Sequence, residues 1–161
     1  MKTSYSKRFS IAKYFINKGK GQLKNNTQLS SAHALLHFHD ATEILLLAIA
    51  DNIGYKVPYN FMKHWEEAKI KGTKLPYFNE LNNLNRLRVS IKHYGILPSI
   101  ADCIESERNV TNFFIEVLKD IFSLDFNSIS LSDLVLDNDI RKHLALAEKF
   151  INDSWISVST S

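Results

Sequence analysis

Cysteine occurs once, at Cys103, so the chain can close no internal disulfide and can build no cysteine zinc cluster by itself. No cationic neighbour stands beside that thiol, which therefore reads as a small buried hydrophobe. Proline occurs three times and glycine five times, and both fall mainly where helical patterns break. The longest apolar run, Ile44 to Ala50, is far shorter than the ~20 residues a membrane-crossing helix needs. Lys2, Lys7 and Arg8 at the N-terminus lead into no apolar stretch of signal-peptide length, and a cytoplasmic protein is the expectation. Acidic residues are missing from the first 39 positions, Asp40 being the first.

What is present fits one globular domain over residues 1–161: 45% hydrophobic and 23% charged residues, enough for a core without a metal or disulfide. The net charge of +3 hides a strong asymmetry. Residues 1–39 carry seven basic side chains and no acidic one; residues 40–100 carry eight and six, and residues 101–161 five and eleven. A basic segment of this kind suits a polyanion, because Lys and Arg release counterions from phosphates. Lys13, Lys18, Lys20 and Lys24, within a basic helix and loop over 1–29, are the candidate RNA contacts.

Apolar spacing predicts helices over 4–18, from Ser30 or Ser31 to Ile53, over 60–71 from a cap at Asn60, over 77–94, over 99–122, and over 138–154 from a cap at Asp137. The first is expected to stop at the Lys18-Gly19-Lys20-Gly21 break. The last is expected to bury Ile140, Leu144, Ala147, Phe150 and Ile151, ahead of a flexible tail over 156–161. Residues 129–132 alternate briefly but have no partner strand, and are read as loop. The outcome is an all-α, up-and-down bundle of about five to six helices, whose sites come from facing helices.

Two residue constellations carry chemistry. In Arg86-Leu87-Arg88-Val89-Ser90-Ile91-Lys92-His93-Tyr94-Gly95, Arg88 precedes His93 with four residues between, and Arg86 with six. At about 100° per residue Arg86 and His93 point almost the same way, whereas Arg88 lies about 140° from His93 and joins it only if the helix end distorts. In the second predicted helix, His33, His37 and Asp40 lie at i, i+4 and i+7, a spacing that suits a divalent metal and leaves open a metal-dependent bundle hydrolase. His39 and Glu43, also one turn apart, border the apolar face and read as a buried structural pair.

The Arg-x4-His and Arg-x6-His spacings, set at the end of a later helix of a bundle, resemble the HEPN family, over about residues 5–155. The resemblance implies a metal-independent endoribonuclease, a toxin or antiphage defence effector needing no cofactor, with Arg88, His93 and Arg86 catalytic. Ser90, Lys92 and Tyr94 would support them, and Asp40 or Glu43 would orient His93 or an arginine. It also implies RNA as partner, a homodimer with Val89 near its contact face, and an antitoxin or nucleotidyltransferase as a further partner. The resemblance leaves a non-catalytic binding module open, since Val89 directly follows Arg88 where many catalytic members carry a polar residue.

Overall fold

A computed structural model describes residues 3–135 and 138–159. Six helices follow one another: α1 Thr3–Leu23, α2 Gln28–Ile53, α3 Lys63–Ile70, α4 Phe78–Tyr94, α5 Ile100–Phe122 and α6 Asn138–Ser159. Single helical turns at Phe126–Ser128 and Ser132–Leu134 join α5 to α6, and no strand occurs among the described residues. The predicted all-α class is the observed one. Residues 129–131 are irregular as expected, with Ser132 opening the second of those turns. Asp137, the predicted cap of α6, lies outside the described residues, as do the last two positions of the 156–161 tail.

α2 is the axis of the bundle, because nearly every turn of it carries an apolar side chain that must leave water. Leu35, Phe38, Leu45, Leu46 and Ile49 are completely buried, against α1 on one side and α4 and α5 on the others. α2 starts earlier than predicted. Thr27 is its cap and accepts from the Ser30 amide, while the Ser30 hydroxyl answers the Thr27 amide, a reciprocal capping box that leaves Ser30 inside the first turn. Its far end stops as predicted at Gly54, whose φ of 82° only glycine adopts cheaply.

Two predicted boundaries shift for identifiable reasons. α1 runs through Gly19 and Gly21 to Leu23 instead of stopping. A Cβ on Gly19 would collide with the Phe38 ring, so the glycine is what lets α1 and α2 close on each other. α3 begins at Lys63, and Asn60 acts before it, its side-chain oxygen accepting from the Met62 amide. α5 opens where predicted, and Ser99 is its cap, accepting from the Asp102 amide at 3.0 Å. Cys103 is buried as predicted, and burial pushes its thiol up to about 11.

α6 departs most from expectation. Ile140, Leu144, Ala147, Phe150 and Ile151 are all exposed instead of buried. Polar groups hold the helix to the body: Glu148 accepts from the Leu131 amide at 3.0 Å and from the Ser130 hydroxyl, and the Arg141 guanidinium donates to the Val135 carbonyl. The core is already closed by α1, α2, α4 and α5, so α6 is seated by the 129–135 connection, leaving its apolar stripe to one side.

Candidate functional site

α4 displays the Arg and His run because both of its ends are fixed. Tyr77, in the left-handed region at φ 59°, turns the chain into the helix, and Gly95, at φ 64°, turns it out. The Gly95 amide donates to the Ile91 carbonyl and the Ile96 amide to the Ser90 carbonyl. Leu81 and Leu84 are buried, and Leu87 and Ile91 pack at the edge of the core, which fixes the rotation of α4. The helix is continuous through Tyr94, without the distortion that Arg88 would need to join His93. Arg86 and His93 therefore share an exposed face seven residues apart, and Arg88 is half-buried on the side turned to α2.

On that side α2 offers His39, Asp40 and Glu43. His39 is 1% exposed, and its Nε2 lies 3.2 Å from Oδ1 of Asn85, one turn before Arg88. A carbonyl oxygen only accepts, so Nε2 carries the imidazole proton and Nδ1 carries a lone pair. Phe61 stacks over the ring at 4.6 Å. Burial lowers His39 to about 4, with the nearby charges of Arg88 and Lys92 acting in the same direction against the Asn85 bond. Burial and Asp40 raise Glu43 while Arg88 offsets them. The structure thus brings Arg88 and Lys92 to His39 and Glu43, and leaves Arg86 and His93 together on the open face.

The supporting residues divide. The Ser90 hydroxyl is turned back to the Arg86 carbonyl at 3.1 Å, and Lys92 and Tyr94 are exposed. Of the basic segment, the half-buried Lys13 donates to the carbonyls of Phe126, Asn127 and Ile129, at 3.3, 3.3 and 2.6 Å. Burial lowers its pKa. Lys20 pairs with Glu107 at 3.1 Å, Lys18 lies over the Tyr14 ring, and Lys24 is exposed. Lys13 and Lys20 thus hold α1 to its neighbours.

His33, His37 and Asp40 do not form the metal group their spacing suggested, because His37 stacks on Phe15 of α1. Among the described residues the donors that converge are those of His39, Asp40 and Glu43, all within 4.8 Å of one another. Asn85 is the site residue that spacing alone did not single out. The available signal was its position with Arg88 and Lys92 at i, i+3 and i+7, one stripe of α4.

A second buried polar pair lies outside this site. The Tyr55 hydroxyl and Nδ1 of His64 are 2.9 Å apart, and burial lowers His64 to about 4. Among the described residues no helix is long and apolar enough to cross a membrane. Fold and site together define an all-α bundle with a basic, histidine-bearing helix end open to solvent beside a polar cluster built on the buried His39. Compared with known proteins, the chain matches no family model, no curated protein and no solved structure.

Proposed function

We propose that this protein is a HEPN-like endoribonuclease that cleaves RNA without a metal, through Arg86, Arg88 and His93. The observation that carries the reading is that Arg86 and His93 share one exposed face of a capped α4, with a second arginine, Arg88, half-buried on the side turned to α2. An arginine is always charged, so Arg86 clamps a phosphate and stabilises the charge that grows on it. His93 takes the proton of a ribose 2′-hydroxyl as its oxygen attacks the neighbouring phosphorus and the bond to the 5′-oxygen breaks. The products are a 2′,3′-cyclic phosphate and a 5′-hydroxyl. The leaving oxygen needs a proton from a second acid, which a homodimer supplies as the His93 of another copy. Arg88, half-buried near Glu43, guides the strand from the side. A toxin or defence role in the cytoplasm agrees with this chemistry.

One observation favours a second reading, a binding module that partners a nucleotidyltransferase or a larger complex: Arg88 faces α2 and not His93. Incubating wild type and His93→Ala with a mixed RNA pool in EDTA, at equal helical content by circular dichroism, separates the two. Cyclic phosphate ends from wild type alone support the ribonuclease. Equal cutting by both variants overturns the role of His93, and RNA retention without cutting by either favours the binding module.

A further inference from the structure

The polar cluster beneath Arg88 contains an arrangement that the cleavage chemistry does not use. His39 is buried, yet its Nδ1 has no hydrogen-bond partner. That atom lies 3.8 Å from Oε2 of Glu43, too far for a hydrogen bond, and it carries a lone pair because Nε2 is protonated toward Asn85. An imidazole lone pair and a carboxylate lone pair facing each other repel unless something positive lies between them. Buried polar atoms left without a partner are rare and call for such an explanation.

We propose that His39, Asp40 and Glu43 form a site for one divalent transition-metal cation, with His39 Nδ1 and the two carboxylates as ligands. Zinc binds nitrogen and oxygen at roughly 2.0–2.2 Å in a tetrahedron, so two ligands of one ion stand about 3.3–3.6 Å apart. The His39–Glu43 separation of 3.8 Å is wider than that by only a few tenths of an ångström. No two ligand atoms of the group stand more than 4.8 Å apart, and closing on an ion takes a shift of up to about an ångström, which the exposed Asp40 and Glu43 side chains allow. The bond from Nε2 to Asn85 is the kind of outer contact that fixes the tautomer and direction of a metal-binding imidazole. A mixed set of one imidazole and two carboxylates suits Zn²⁺ or Mn²⁺ over a soft cation such as Cu⁺.

The charged groups facing the site from α4 are Arg88 and Lys92, and both oppose a cation. Two carboxylates balance the ion, and Arg88 is in hydrogen-bond contact with neither of them, so it can turn outward to relieve the repulsion. Binding of the cation does not depend on the ribonuclease reading, and the test therefore reads binding and not cleavage. The EDTA-stripped full chain is titrated with Zn²⁺ by calorimetry and with Co²⁺ by visible absorption. The expected result is one saturable site per chain, lost in Glu43→Gln, weakened about 10–100-fold in Asn85→Ala, and unchanged in His37→Ala, with all variants equally helical. Absence of saturable binding in wild type, or binding that survives Glu43→Gln, overturns the proposal. Loss of binding in His37→Ala moves the ion elsewhere and overturns it as well.

Discussion

α2 and α6 are two helices of similar length with opposite fates, α2 apolar nearly all round and α6 carrying a single apolar stripe. α2, 26 residues long, buries Leu35, Phe38, Leu45, Leu46 and Ile49 completely. α6, 22 residues long, leaves Leu144 42% and Ile151 57% exposed. The difference teaches that an apolar stripe states a need for cover without naming what covers it. α2 is surrounded because α1, α4 and α5 all pack on it, with Gly19 of α1 making room for the Phe38 ring. α6 is positioned by hydrogen bonds with the chain that precedes it, Glu148 accepting from the Leu131 amide and Arg141 donating to the Val135 carbonyl.

The largest effect that would break this comparison is expected at Phe38. Phe38→Ala removes a fully buried ring between two helices and should cost about 3–5 kcal/mol, measured by urea unfolding. A loss below ~1 kcal/mol would mean that α2 is not enclosed at this turn.

Titration sharpens the contrast next, because α2 and α3 bury His39 and His64 whereas the His143 of α6 is exposed. Both buried groups are lowered by burial to about 4, from an ordinary value of 6.5. The unfolded chain therefore binds more protons than the folded one between those values, and stability is complete above about 6.5 and lost as pH falls toward 4. Each histidine should cost about 2 kcal/mol by pH ~5. Glu43, raised by burial, acts with the opposite sign, favouring the folded state as pH falls through its range. Unfolding midpoints at several pH values check the balance, and a flat profile from pH ~7 to ~5 would refute it.

Gly19→Ala comes third. A Cβ there must displace the Phe38 ring, at a cost of about 1–3 kcal/mol, even though alanine is the better helix former. Gly21→Ala, with open space around it, should instead stabilise slightly, so thermal melts of the two variants side by side test whether the first is a packing effect. The smallest effect falls on α6, where Leu144→Ser should change stability by no more than about 0.5 kcal/mol. A large loss there would show the α6 stripe to be covered in solution.

Much of the fold is legible in the residues. The stop at Gly54, the Ser99 cap, the Leu81–Leu84 face of α4 and the end at Gly95 each follow from local chemistry, which acts within a turn or two. The extension of α1 through Gly19 was not legible, since the reason for that glycine is a ring contributed by another helix. The candidate site divides along the same line. Arg86 and His93 share a face by helical spacing alone. The pairing of His39 with Asn85, 46 residues away, needed the rotation of α4 against α2 that Leu81 and Leu84 impose.

The sequence by itself determined an all-α chain, the ends of several helices, and which residues of α4 share a direction, because backbone propensity, capping and helical period act between near neighbours. Only the tertiary structure decided that Lys13 and Lys20 tie α1 to its neighbours, that α6 keeps its apolar stripe exposed, and that His39, Asp40 and Glu43 meet Arg88. Those outcomes depend on which helix faces compete for a finite core, and a competition among distant segments is settled only when all of them are packed.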